Sequence, residues 1–324
     1  MKVALIRLGA FGDVVHAFPL ACALRDGMGD VELAWCISSK WSWLLEGHEA
    51  VDRVIQVDGI RSACRALRAF GPEVVVDPQG LLKTGILALA SGAGRRVGYG
   101  FQRARGERAA ALFYTDRVAE RQGGSIVRSN LGLAEALGIR VEEPRFGVPR
   151  FPEAGERIER FLRDSGVEAP FVLFHPGTSW PTKRWPADKF AQLGIILERR
   201  RPGLRFVVTC GPGEEALAAA ACPPGGIVFS PGRLAELAEL LRRACLVVAP
   251  DTGVLHLAVA VGTGVVGLFG PTDPVRNGFW RDEDRFVVAP CADVPCWRRR
   301  CRRSCLAALA PEAVAEVVSD DRFL

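Results

Sequence analysis

Residues 1–13 read MKVALIRLGAFGD: a β-branched and aliphatic run, Val3–Leu8, that closes on Gly9-Ala10-Phe11-Gly12-Asp13. A near-continuous apolar run that ends in two glycines is how a buried parallel strand hands over to a helix. The glycines let the backbone turn tightly and come close to a ligand, and a helix start offers free N–H groups and a positive dipole end. One Lys before so short an apolar stretch reads as a first strand, not a signal peptide. A helix is predicted from about Asp13 to Arg25. The spacing is G-x-x-G-D, without the G-x-G-x-x-G of dinucleotide enzymes and without a P-loop Lys, which counts against a nicotinamide-dependent oxidoreductase. Asp13 has two readings. It is an ordinary acid of a first helical turn, or a carboxylate kept ionised by the dipole and available as a general base. His16, one turn later, reads as a surface or packing histidine.

The same alternation continues outward from this stretch. Val31–Ile37, Val51–Val57 and Glu73–Asp77 read as further strands, with helices over Ile60–Phe70 and Leu81–Ala90. Strand–helix alternation of this kind predicts a doubly wound α/β sheet. Val141–Pro152 (VEEPRFGVPRFP) reads as a linker, after which strands recur at Phe171–His175, Phe206–Cys210, Ile227–Ser230, Leu246–Ala249 and Val265–Phe269. The expectation is two Rossmann-like domains, 1–150 and 151–324, facing a central cleft at the carboxyl ends of their strands. The length, 324 residues, suits two domains at about 150 residues each. No apolar run reaches the roughly 18 residues of a membrane span. A net charge of +5 is too mild for a dedicated nucleic-acid binder but permits an anionic partner. Ten Cys without a secretory signal lead us to expect a reducing cytosol and free thiols.

Three loops of the second half carry phosphate-type chemistry. His175-Pro176-Gly177-Thr178-Ser179 and Trp180-Pro181-Thr182-Lys183 place hydroxyls, a glycine and a cation between a strand and a helix, where a phosphate fits; the plainer reading is a polar loop with a capping hydroxyl. Pro250-Asp251-Thr252-Gly253-Val254-Leu255-His256 opens another helix, and Asp251 or Thr252 also suits a simple cap. Phe269-Gly270-Pro271-Thr272-Asp273-Pro274 is the third. One such loop says little, but three at successive strand ends point to a nucleoside diphosphate.

With these residues in view the chain resembles the ADP-heptose:lipopolysaccharide heptosyltransferases, glycosyltransferase family 9. The resemblance rests on GAFGDVVHAFP (from Gly9), DPQGLLK (from Asp77), HPGTSWPTKRWP, PDTGVLHLA and FGPTDP, in that order along the chain. GDVVH, DPQGLLK and Leu112-Phe113-Tyr114 are most like heptosyltransferase I. The resemblance implies a GT-B fold and an inverting transfer of L-glycero-D-manno-heptose from ADP-heptose to Kdo of Kdo2-lipid A. It implies Asp13 as catalytic base, and Thr178, Ser179, Lys183, Glu215, Asp251, Thr252, Gly253 and His256 as donor-binding, with Glu215, or its neighbour Glu214, as the ribose-binding carboxylate. No cofactor and no catalytic metal are implied, since a Lys and a helix start can neutralise the leaving group. Alternatives are a heptosyltransferase II-like acceptor, another sugar nucleotide, a Rossmann-type oxidoreductase, or a sugar-nucleotide binder without activity.

The acceptor side is expected in the first domain. Arg61, Arg65 and Arg68 fall on one helix face, and Arg95 to Arg128 holds eight basic and three acidic residues. A solvated face is the plain reading, yet Arg suits phosphates and carboxylates through bidentate contacts. Gly12, Arg61, Arg65, Gln79 and Lys83 are the acceptor-binding candidates. A lipid acceptor implies a cytoplasmic enzyme held peripherally on an anionic inner membrane; no nucleic-acid partner is expected, and nothing requires more than a monomer. Cys291, Cys296, Cys301 and Cys305 cluster around WRRRCRR without a C-x-x-C pair; a Zn²⁺ site, a disulfide and plain thiols are all open.

Overall fold

In the first half, β1 (Lys2–Ile6), β2 (Glu32–Ile37), β3 (Arg53–Gln56), β4 (Val74–Asp77), β5 (Arg95–Tyr99) and β6 (Asp116–Val118) form one parallel sheet in the order β3-β2-β1-β4-β5-β6. The second half repeats the plan with β7 (Phe171–Phe174), β8 (Arg205–Thr209), β9 (Ile227–Phe229), β10 (Leu246–Pro250), β11 (Val265–Phe269) and β12 (Arg285–Val288), ordered β12-β11-β10-β7-β8-β9. Read from the other edge, the second order is the first again, so both halves are doubly wound sheets of the Rossmann type. The computed structural model describes residues 1–102, 106–121, 123–167, 170–278, 281, 284–302 and 304–318; Arg103 and Arg105 of the basic stretch lie outside them. The chain divides into two compact units, Met1–Pro149 and Arg150–Leu324.

Burial explains which strands are apolar throughout. Every residue of β4, β7, β10 and β11 is buried, because helices cover both faces of an inner parallel strand. Strands at or next to an edge obey another rule. β5 opens on two Arg, β6 has three residues, and β12 alternates half-buried with exposed positions. None of the three carries the continuous apolar run from which the sequence predicts strands. The helix predicted over Asp13–Arg25 is two helices, Phe11–Val15 and Phe18–Gly27. Pro19 is the reason: without an N–H it cannot continue a helix and is tolerated only in a first turn, which it occupies here.

The second unit's core packs Phe174, Phe190, Trp185 and Phe206. Trp185 meets Phe190 edge-on at 4.7 Å between centroids and donates its indole N–H to Leu309 O at 3.1 Å. In the first unit Ile6, Val75, Leu67 and Phe70 share a core. Gly9 has φ +151°, and a Cβ there would lie 2.6 Å from Trp41 Cδ1, so only glycine lets this indole close over the β1 loop.

Two buried histidines make the fold sensitive to acid. His48 accepts from Ala50 N on Nδ1 at 3.3 Å and bonds Phe146 O through Nε2 at 3.0 Å, the pattern of a neutral ring. Burial pushes it down to about 4, and does the same to His175. An unfolded histidine titrates near 6.5. Between about 6.5 and 4 the unfolded chain therefore binds more protons, and stability falls as pH falls through that window. The full effect is on the order of 3 kcal/mol per histidine. We expect the melting temperature to drop between pH 6.5 and 4, and less steeply in His48→Gln; equal slopes would remove His48 from the account.

Candidate active site

In an open parallel sheet, ligands bind beyond the carboxyl ends of the strands, where the strand order reverses. In the first unit this point lies between β1 and β4, which pair directly. The loops that follow them are tied together. Gln79 Oε1 accepts from Leu8 N at 2.7 Å, and Arg7 Nη1 donates to Pro78 O at 3.3 Å. Asp77, wholly buried, accepts from Gln79 N, Gly80 N and, at 2.6 Å, the Tyr114 hydroxyl. Burial raises its carboxyl above the usual range despite these bonds. Asp77 and Tyr114 thus shape the loop that presents Gln79.

Asp13 lies in the first turn of the Phe11–Val15 helix with its side chain 47% exposed, open to a substrate. Its Oδ2 accepts from Ala10 N at 3.3 Å and meets Arg7 Nη2 at 2.7 Å. Arg7 is buried, and its Nε has no partner among the described residues. It holds the carboxylate in one orientation through the strongest kind of hydrogen bond. Arg7 was absent from the sequence-derived candidates; the signal is a lone cation in the apolar run VALIRL. Gly12 sits in the same helical turn, half-buried, and its carbonyl accepts from His16 N. His16 is buried, a packing residue.

The remaining first-unit candidates lie on the helices that follow β3 and β4. Lys83 is exposed in the first turn of the Leu82–Ala90 helix. Arg61, Arg65 and Arg68 are exposed along the Ile60–Phe70 helix, opposite the buried Ala63, Leu67 and Phe70. No ion pair involves these three among the described residues. Arg61 lies at the end of that helix nearest the carboxyl edge of β3, and Arg68 at the far end.

In the second unit the reversal lies between the paired strands β7 and β10, and here the structure gathers the predicted donor residues. Lys183 Nζ contacts Asp251 Oδ2 at 2.7 Å and Asp251 O at 3.3 Å, and lies 4.6 Å over the Trp180 ring. Asp251 is buried and also accepts from Asn277 Nδ2 at 2.8 Å, with His256 Nε2 2.9 Å from its other oxygen. Burial works to raise the Asp251 carboxyl, but His256 and the Lys183 charge outweigh it and hold the group well below the usual range. Asn277 was not among the sequence-derived candidates.

Thr252, not Asp251, caps the Gly253–Val261 helix, its Oγ1 accepting from Val254 N at 3.1 Å. That helix start faces the same loops with its N–H groups. Thr178 is buried and Ser179 exposed in the β7 loop. Of the two acids after β8, Glu215 turns to Gly213 N and is exposed. Glu214 is the one set against the loop: a Cβ on Gly177 would lie 2.1 Å from its Oε2. The local sequence does not separate two adjacent acids; in the structure only Glu214 lies against the Gly177 loop.

Cys291, Cys296, Cys301 and Cys305 are free thiols that line one cavity of about 500 Å³ together with Thr182, Asp293 and Arg298. Burial first, then the neighbouring Cys291 and Cys296, raise the Cys305 thiol. Among the described residues no three His, Cys, Asp or Glu side chains stand where they would hold a metal ion.

The chain matches the glycosyltransferase family 9 (heptosyltransferase) profile over residues 60–307. It is 28% identical to lipopolysaccharide heptosyltransferase 1 of Pseudomonas aeruginosa over 322 residues, covering 93% of this chain and 87% of that one. To lipopolysaccharide heptosyltransferase 1 of Escherichia coli it is 27% identical over 312 residues, 90% of this chain and 94% of that one. Among solved structures, the glycosyl transferase family 9 protein of Veillonella parvula superposes with a TM-score of 0.79 at 20% identity, over 98% and 95% of the two chains. E. coli heptosyltransferase WaaC with ADP gives 0.77 at 24% identity, over 99% and 98%. At such identities the two structures speak for the shared fold.

Proposed function

The chain belongs to glycosyltransferase family 9, the heptosyltransferases, and is a glycosyltransferase; from that premise we propose that it transfers L-glycero-D-manno-heptose from ADP-heptose to Kdo of Kdo2-lipid A, in lipopolysaccharide inner-core synthesis. The observation that carries the reading is the set Lys183, Asp251, Thr252 and His256, brought to the carboxyl ends of β7 and β10. The second unit holds the donor. Lys183 and the N–H groups opening the Gly253–Val261 helix receive the diphosphate, Thr178 and Ser179 line the same loop, and Glu214 serves the ribose in place of Glu215. The first unit holds the acceptor, with Gly12, Gln79 and Lys83 around Asp13.

The reaction is one displacement. The acceptor hydroxyl oxygen attacks the anomeric carbon as Asp13 takes its proton. The bond from that carbon to the diphosphate oxygen breaks, its electron pair leaves with ADP, and configuration inverts. Charge grows on the leaving oxygen, where fixed N–H dipoles and the Lys183 ammonium stabilise it. Arg7 keeps the base aimed.

The test is release of ADP from ADP-heptose with and without Kdo2-lipid A, repeated with other sugar nucleotides. Release that requires both named substrates is expected. Preference for an acceptor already carrying one heptose would move the enzyme to the second transfer, and preference for another sugar nucleotide would replace the donor.

Arg61 and Arg65 are assigned to the acceptor's phosphates and carboxylates. Arg61→Ala/Arg65→Ala is expected to raise the acceptor KM several-fold or more, and salt to weaken acceptor use in the wild type. Donor affinity should stay unchanged. A solvated face would instead tolerate the pair within about 0.5 kcal/mol of stability, with no kinetic effect. Equal effects on acceptor KM and donor Kd, or none on either, would sink the assignment. Acting on a lipid, the enzyme works at a membrane surface, although among the described residues no helix is long and apolar enough to cross one.

A further inference from the structure

The outer helix of a doubly wound sheet normally turns polar residues to water. The Leu82–Ala90 helix does not. Its inner face buries Thr84, Gly85, Leu87 and Ala88. Its outer face carries Leu82, Ile86 and Leu89, spaced i, i+4, i+7, at 41, 40 and 50% exposure, with Lys83 its one charged residue and the exposed Glu107 carboxylate accepting from Leu82 N at its start. The Arg108–Phe113 turn lies directly on this helix. A Cβ on Gly85 would meet Phe113 Cδ2 at 2.6 Å and Ala110 O at 3.3 Å, so the absent side chain is what allows the approach. Beside that contact the turn exposes Leu112 at 66%. On the helix's other flank packs Ile60–Phe70, whose outward face carries Arg61, Arg65 and Arg68. One layer of the first unit thus presents an aliphatic stripe bordered by guanidinium groups.

We infer that this layer is a membrane-docking surface, which seats Leu82, Ile86, Leu89 and Leu112 in the interface of an anionic bilayer, where Arg68 meets the bilayer's phosphates and Arg61 and Arg65 meet those of the acceptor embedded in it. The charge decides for that occupant. An aliphatic stripe alone would suit a second copy of the chain equally well. A row of like charges along its border would set two copies repelling each other, whereas anionic headgroups attract it. The arrangement is that of an interfacial element: apolar residues reach the acyl boundary and cations reach the headgroups. The inference rests on the lipid acceptor proposed above, and it explains how the enzyme meets a substrate that does not leave the membrane.

The experiment is sedimentation of the full chain with vesicles containing no acceptor, either pure phosphatidylcholine or phosphatidylcholine with phosphatidylglycerol. Binding to the anionic vesicles is expected, weakened by salt by roughly fivefold for each basic contact screened. Leu82→Gln/Ile86→Gln/Leu89→Gln should lower partitioning roughly tenfold or more. The same variant should keep the wild-type rate on a deacylated, water-soluble acceptor. No vesicle binding by the wild type, or equal binding by the variant, overturns the inference. So does light scattering that shows a wild-type dimer and a monomeric variant, which would make the stripe a subunit contact. Unchanged vesicle binding with selective loss of the acylated acceptor would assign it to the substrate's own chains. Because the vesicles hold no substrate, failure of the heptosyltransferase reading appears separately, as absent ADP release.

Discussion

Asp13→Asn turns over at roughly one hundredth of the wild-type rate or less, while ADP-heptose binds nearly as before. The substitution keeps the side chain's shape and removes only its charge and its capacity to take a proton, a function worth about 10² to 10⁴ in rate. Donor affinity is expected to be spared because the residues proposed to bind the donor, Lys183, Asp251, Thr252 and His256, belong to the other unit. The competing reading is a carboxylate that merely supports a helix start, and that role has its own signature. It costs about 0.3 to 1 kcal/mol of stability and leaves turnover intact. Single-turnover rate and donor Kd, measured with the melting temperature, separate the two. Turnover within threefold of wild type would take Asp13 out of the chemistry. The Arg7 contact sharpens the test, since in the variant the buried guanidinium loses its anion. A fall in melting temperature with normal turnover would therefore give the pair a structural role only.

Lys183→Ala is expected to weaken ADP-heptose binding by about 1.5 to 3 kcal/mol, the worth of hydrogen bonds to a charged group. The structure adds a second consequence. Lys183 is also the cation beside a buried, ionised Asp251, and removing one member of such a pair costs about 3 to 5 kcal/mol of stability. The single variant therefore mixes two effects. In Lys183→Ala/Asp251→Asn no buried charge is stranded, so the melting temperature should recover most of its loss. Donor affinity should remain weak if the ammonium meets the diphosphate. Donor affinity that returns to wild type together with stability would reduce Lys183 to a structural partner of Asp251.

The interior strands were legible because burial on both faces demands the same apolar residues at every position, as in VVV of β4 or VVA of β10. Strands at or next to a sheet edge carry polar or half-exposed positions, and so RRVGY, beside the edge strand β6, and RFVV, an edge strand itself, escaped that pattern. Pro19 was visible, yet the apolar run on either side of it suggested one helix; the proline's missing N–H decides for two. In the candidate site, the polar residues of each loop were visible in the sequence. What the chain order hides is which groups meet: Lys183 and Asp251 are 68 positions apart, and Asn277 reaches the same carboxylate from 26 positions beyond. The choice between Glu214 and Glu215 depends on a turn of backbone that composition does not encode.

The Gln79 side chain consumes the N–H of Leu8, and the Arg7 guanidinium holds the Pro78 carbonyl. The loops after β1 and β4 are therefore one mechanical piece, though 71 residues separate their contacts in the chain. Such a piece cannot drift one half at a time. An exchange at Gln79 that is harmless on one background of the β1 loop becomes costly on another, and substitutions in the two segments should depart from additivity by about 0.5 to 3 kcal/mol. Grafting either loop alone from a homologue would carry the same penalty, whereas moving both together would preserve the joint made by Leu8 with Gln79 and Arg7 with Pro78.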